Sequence, residues 1–144
     1  MKLPEMKSLQ ERVRAKPALD GTVSGSFGWL SWGLGLAELF TPHMLLDWLG
    51  VDEEAAPIVR GYGLREIAAG VGILQNPVGP QFLWARVLGD VLDIATLGVA
   101  LKKSKKPERV GLALGIVGAI TLMDIGMSLR LTQISAAKRS ARAA

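Results

Sequence analysis

Three ionisable residues stand inside an apolar run. In the stretch WARVLGDVLDIATLGVALKK, Trp84 to Lys103, the first half holds Arg86, Asp90 and Asp93. On a helix these fall with Leu97 at i, i+4, i+7 and i+11, which is one narrow face. Arg86 and Asp90 are spaced to pair along that helix, so Asp93 needs a partner elsewhere. Carboxylates on a desolvated face have two uses. As ion pairs they fix how helices pack. As a pocket they receive a proton, a quinone-like head group or another polar ligand.

The same chemistry recurs along the chain. Glu38, Arg60, Tyr62, Arg65, Glu66 and Asp124 also sit in apolar surroundings. Glu38, Glu66, Asp90, Asp93 and Asp124 are five acids, set against three bases, Arg60, Arg65 and Arg86. The surplus implies that a carboxylate there carries a proton, or that a further cation or hydrogen-bond donor completes the site. A third possibility is that some of these charges lie near a membrane surface and reach out to it. The polar network expected from the sequence is therefore Glu38, Arg65, Glu66, Arg86, Asp90, Asp93 and Asp124.

Small residues mark where helices approach. Ser24, Gly28, Ser31, Gly35 and Glu38 recur at i, i+4, i+7, i+11 and i+14. In the last apolar block Gly111, Gly115 and Gly118 form a glycine surface beside Thr121, Asp124 and Ser128. Stripes of this kind let helix backbones come close in lipid. Gly28, Ser31, Gly35, Gly111, Gly115 and Gly118 are the expected helix-packing positions.

Four apolar blocks carry these residues, at about 24–40, 57–74, 82–101 and 107–133 of the 144 residues. Each approaches or exceeds the roughly 20 residues that cross a bilayer, and none alternates with the period of a strand. Short joints, among them QNPVGPQ and KKSKKPER, make neighbours antiparallel. The expected architecture is all-α: an up-down antiparallel four-helix transmembrane bundle over residues 23–134. A charged leader covers residues 1–22, and a basic tail covers 135–144. HMLLDWLG reads as an amphipathic turn at the membrane surface. A soluble bundle would show a charged outer face on every helix, whereas Val110 to Met123 has no charged residue.

Composition agrees. The chain is 49% hydrophobic with mean hydropathy +0.30, and it holds 17 Gly and 4 Trp. Trp29, Trp32, Trp48 and Trp84 read as interfacial anchors. The chain has no Cys and a single His43, so no metal site is expected, and His43 reads as a solvated loop residue. No signal peptide is expected, because the first residues are charged. The net charge of +4 is concentrated in the tails and one loop, which suits membrane flanks better than nucleic acid. Lys2, Lys7, Arg12, Arg14, Lys16, Arg130, Lys138, Arg139 and Arg142 fall on one side of such a bundle. Lys102, Lys103, Lys105, Lys106 and Arg109 fall on the other. The larger basic group predicts both termini in the cytoplasm.

GLREIAAGVGIL (Gly63 to Leu74), WARVLGDVLDIATL (Trp84 to Leu97) and the opening GWLSWGLGLAELFTP resemble a small membrane domain of bacteria. In some members that domain precedes a cyclase/dehydrase-type, START-like domain. The resemblance implies a multi-pass protein of the bacterial inner membrane, with Glu38, Arg65, Glu66, Arg86, Asp90 and Asp93 at family positions. More distantly, the layout is similar to DoxX-like membrane proteins, some of which serve as quinone-linked redox subunits. No GxSxG, Walker or HExxH motif is present, so no catalytic residues are expected. The leading expectation is a non-enzymatic scaffold or accessory subunit in contact with membrane lipids and with its own copies or a larger complex. The alternative is a protein that binds a quinone, lipid or proton in its acidic pocket. The sequence names no cofactor.

Overall fold

The computed structural model describes the backbone of residues 3–143 and the side chains of residues 19–143. Within them the chain is all-helical, with no strand. Helix α1 is Leu3–Phe40, α2 is Pro42–Leu49, α3 is Ala56–Gln75, α4 is Gln81–Lys103 and α5 is Pro107–Ala143, with one 3-10 turn at Glu53–Ala55. Proline opens α2 and α5 and stands in the first turn of α3, where its missing N–H costs nothing. The joint after α3 ends the helix at Gln75, where Asn76 leaves helical geometry at φ −140°.

The ends of α1 and α5 differ from the expected 24–40 and 107–133. The backbone of the supposed leader continues α1 from Leu3, and the basic tail continues α5 to Ala143. Leu, Glu, Met, Lys, Gln, Arg and Ala dominate both segments, and all are strong helix formers. The leader's Lys2, Lys7, Arg12, Arg14 and Lys16 have side chains outside the described residues.

Each long helix packs antiparallel on the next. Gly28 of α1 meets Leu74 of α3 and Gly35 meets Gly63. Tyr62 of α3 meets Thr96 of α4, while Arg65 meets Asp93. Trp84 of α4 meets Thr132 of α5, while Arg86 meets Asp124. Helix α5 returns to α1 through Arg130, whose Nε lies 2.7 Å from Asp20 Oδ1. A small apolar cluster of Phe27, Ile73, Leu83 and Leu131 fills the interior at that end.

Helix α2 replaces the expected surface turn. It is too short to be stable alone, and the KKSKK loop holds its C-terminal end. Ser104 Oγ donates to the Leu49 carbonyl, Lys106 Nζ donates to Asp47 O at 2.7 Å, and the Lys105 N–H donates to Gly50 O at 3.0 Å. Arg109 lies over the Trp48 ring, 5.9 Å from its centroid. Cations there suit the negative end of the helix dipole. This gives Lys105, Lys106 and Arg109 of the basic loop a local structural role.

Gly50 makes the arrangement possible. It is the left-handed residue after α2, at φ 67°, and a Cβ there would sit 2.9 Å from the Lys106 backbone nitrogen. Gly50→Ala therefore meets both backbone strain and a backbone clash. It should cost about 1–3 kcal/mol, read as a lowered unfolding midpoint. An unchanged midpoint would show that α2 is not docked this way.

Polar side chains share the interior with apolar ones such as Ile73, Leu83 and Val110, and many large apolar side chains are exposed. Buried positions include Asp20, Ser24, Ser31, Glu66, Arg86, Asp90, Thr121, Asp124 and Ser128. Large apolar side chains face outward on every long helix, with Trp29 65% exposed, Leu64 58%, Leu88 70% and Leu122 72%. Among the described residues one helix, α5, is long and apolar enough to cross a membrane.

Candidate functional site

The polar residues inside the protein form two linked clusters around Glu66. Arg65 Nη2 donates to Glu66 Oε1 at 2.7 Å and to Asp93 Oδ2 at 2.9 Å, and its Nη1 donates to Asp93 Oδ1 at 3.3 Å. The forked guanidinium thus grips one carboxylate with both nitrogens and touches a second, a geometry that lysine could not reproduce. On the other side of Glu66, Arg86 Nη1 donates to Oε2 at 3.2 Å, and Arg86 Nε donates to Asp124 Oδ2 at 2.8 Å. Ser31 Oγ donates to Glu66 Oε2 at 2.7 Å and also receives Arg86 Nη1. The Phe27 carbonyl, where the α1 backbone passes, is a further acceptor for Arg86, at 3.5 Å.

The partners differ from those the spacing on α4 suggested. No ion pair links Arg86 to Asp90. Arg86, 1% exposed, turns away from its own helix toward α3 and α5, where two carboxylates meet it. Asp93, which needs a partner from another helix, is gripped by Arg65 of α3. Asp90 stands beside Arg86 and within hydrogen-bonding reach of Thr121 and Asp124, with its Oδ2 buried. Glu38 Oε2 is likewise buried and unpartnered. Arg60 is exposed and takes no part, so the count becomes five acids against two guanidinium groups.

These residues border a cavity. A cleft of about 670 Å³, half open to the outside, lies between the helices with α2 along one side. Most of its wall is apolar, built from residues such as Leu34, Leu46, Ile58, Leu97, Val117 and Ile120. Glu38, Glu66, Arg86, Asp90 and Asp93 form its polar side, and Tyr62 and Thr96, joined by a 2.6 Å hydrogen bond, also line it. Trp48 belongs to the wall too, so it is more than a surface anchor. Oxygens of Glu66, Asp90 and Asp93 lie within 4.8 Å of one another. Chemically, the arrangement offers hydrogen-bond acceptors at one side of an apolar chamber.

The predicted packing glycines separate into two groups. Gly28, Ser31 and Gly35 face α3, and a Cβ on Gly35 would lie 2.6 Å from Gly63 O. Gly111, Gly115 and Gly118 do not pack in this chain, since a Cβ on any of them would meet no atom within 4 Å. Their stripe lies beside the buried face of Thr121, Asp124 and Ser128 in sequence, but points away from it.

Several participants were missed. Ser31, a packing position by its spacing, bonds both Glu66 and Arg86. Asp20 was placed in the leader, yet it is 4% exposed and paired with Arg130. Asp20 precedes Ser24 by four residues, so extending the α1 stripe one turn would have found it. The buried hydroxyls of Ser24 and Ser128 lack protein partners. Buried groups in that state call for internal water.

Comparison of the chain with protein-family models, with curated proteins and with solved structures gave no match.

Proposed function

We propose that this is a multi-pass protein of the bacterial inner membrane, a four-helix transmembrane bundle that holds an apolar ligand by its polar head. Two features support the membrane part. The first is the exposure of large apolar side chains on every long helix while Glu66, Arg86, Asp90 and Asp124 are held inside, a pattern that lipid favours. The second concerns the charges on α3 and α4 that lower their apolarity below that of α5. Arg65, Glu66, Arg86 and Asp90 are turned inward, and Asp93 is paired with Arg65, the arrangement that a bilayer demands of ionisable groups. The resemblance at Gly63 to Leu74 and Trp84 to Leu97 points the same way. The basic loop after α4 is engaged by α2, which lessens its weight in setting topology and favours cytoplasmic termini.

The observation that carries the ligand part is the chamber of about 670 Å³ with acceptors on one side and apolar walls elsewhere. Ligand sites share that composition and size. A scaffold needs ion pairs, and Arg65 and Arg86 supply them. It has no use for an apolar-walled cleft with charged groups on one side.

Native mass spectrometry on carbonate-washed membranes tests the whole reading. The chain should stay in the membrane fraction and release with a bound small molecule. Ala113→Trp, which fills part of the chamber from α5, should abolish that adduct while leaving the protein folded. A bare chain from wild-type membranes, released with a protein partner instead, would favour the accessory-subunit expectation. A chain lost to the carbonate supernatant would remove the membrane reading altogether.

A further inference from the structure

Resting on the membrane part of that reading and not on its ligand, we infer that the buried polar row between α1 and α5 conducts protons across the bundle. It runs from Asp90 and Asp124 at the cleft, past Ser128 and Ser24, to Asp20 beside Arg130, and water molecules complete it.

The row is continuous in register. On α1, Asp20, Ser24, Ser31 and Glu38 fall at i, i+4, i+11 and i+18, one face of the helix, and the first three are buried. From Asp20 to Glu38 the helix rises about 27 Å, close to the roughly 30 Å of a bilayer's hydrocarbon. On α5, Thr121, Asp124 and Ser128 share a buried face. Two contacts fix how these faces meet. At one end Asp20 Oδ1 lies 2.7 Å from Arg130 Nε. Further along, Arg86 joins Ser31 of α1 to Asp124 of α5. Ser24 and Ser128 lie between these two anchors.

The second observation is what the two serines lack. Both are fully buried, and neither hydroxyl has a hydrogen-bond partner in the protein; the same holds for Asp20 Oδ2. A buried hydroxyl left alone costs free energy, and a bound water relieves that cost. One turn of helix, about 5.4 Å, separates Asp20 from Ser24 and Asp124 from Ser128. A water making two hydrogen bonds of about 2.8 Å spans such a step. The neighbouring cluster of Phe27, Ile73, Leu83 and Leu131 is apolar. It keeps the file narrow and offers a metal cation none of the oxygens it needs.

The far end is the cleft, which Asp90 lines and which reaches the joint after α2 through Trp48 and Val51. A proton from water there enters at Asp90 and is shared with Asp124, whose carboxyl is within hydrogen-bonding reach. It passes from that carboxyl to the next water. Each water or serine hydroxyl accepts one proton and gives up another. Asp20 releases the last to solvent beside Arg130, whose side chain is 51% exposed. Arg86 stays charged throughout and holds Asp124 in place. Every carrier ends as it began, so the net change is one proton moved.

The test reconstitutes the whole chain into phosphatidylcholine vesicles that hold the pH dye pyranine, with flotation to measure how much is inserted. A potassium gradient with valinomycin sets the membrane potential, and internal pH is followed. The inserted chain should move protons faster than empty vesicles do. Ser128→Ala removes a hydroxyl that bonds nothing in the protein, so the fold tolerates it. That variant and Asp20→Asn should each slow the flux about tenfold, the factor expected of one lost hydrogen bond in the file, with circular dichroism and flotation unchanged. If the inserted wild-type chain is no faster than empty vesicles, conduction is overturned while the membrane reading survives. If both variants match the wild type, the path through Ser128 and Asp20 is overturned. If a sodium-sensitive dye reports sodium entry at a similar rate, the file is an open pore and the proton assignment falls. If the chain does not float with the vesicles, the inference and the membrane reading fall together.

Discussion

Replacing Arg86 with methionine should cost the fold about 3–5 kcal/mol, the range measured when one partner of a buried ion pair is removed. Arg86 is 1% exposed, and it is the ion-pair partner of Asp124, which is fully buried. Without the guanidinium, Asp124 stays in the interior with neither oxygen satisfied, since its Oδ1 already lacks a partner. Glu66 loses one of its two guanidinium contacts and Ser31 loses a donor. The cost thus comes mainly from the stranded carboxylate and less from the lost attraction. That distinction has its own check. Combining Arg86→Met with Asp124→Leu should recover most of the loss, because apolar replacement of a whole buried pair is often neutral or stabilising. Arg65→Met should cost less, since the Arg65 and Asp93 side chains are 25% and 20% exposed and partly solvated. Unfolding in mild detergent, followed by circular dichroism, measures all three. A single Arg86→Met variant as stable as the parent would mean that the core is wet and its charges screened. Equal losses in the single and double variants would mean that the arginine stem, and not its charge, held the helices.

Much of this core was legible beforehand, and the reasons are local. Periodicity alone put Arg86, Asp90 and Asp93 on one face of α4, and Ser24, Gly28, Ser31, Gly35 and Glu38 on one face of α1. The 3.6-residue repeat is a property of the chain, so faces can be read without neighbours. Partners cannot. Whether Arg86 bonds Asp90 four residues on, or Asp124 on another helix, depends on how each helix is rotated. That rotation is set by packing across α1, α3 and α5. Helix α2 was obscure for a related reason: eight residues give little propensity, and the donors that hold its end arrive from a loop about 55 residues later. The chamber was invisible as well, because a void is defined by the side chains that fail to fill it.

The two glycine stripes show the limit most directly, and they give the second large effect. Gly35→Ala should destabilise the fold by about 3 kcal/mol or more, whereas Gly115→Ala should leave it unchanged or slightly improve it. In sequence the positions are alike, each a glycine among large apolar residues in a small-residue repeat. In space they differ. A Cβ on Gly35 would lie 2.6 Å from the Gly63 carbonyl oxygen and 2.9 Å from the Ile67 backbone nitrogen. Gly63 returns the contact, with its own Cβ placed 2.6 Å from Gly35 O. Those obstacles are backbone and cannot rotate away, so α1 and α3 would have to separate, and overpacking of this kind typically costs 1–3 kcal/mol or more. Separation would also draw Ser31 from Glu66, one turn along the same interface, and disturb the polar core through its α1 contacts. At Gly115 a Cβ meets nothing within 4 Å, and alanine there lowers the entropy cost of the helix by the usual glycine-to-alanine increment of about 1 kcal/mol. Thermal unfolding of the two variants side by side decides the matter. Equal and large losses would place Gly115 at a contact that a single chain does not contain. Two unchanged midpoints would instead show that α1 and α3 are not in backbone contact at Gly35 and Gly63, and with that the alignment of Ser31 against Glu66 and Arg86 would have to be abandoned.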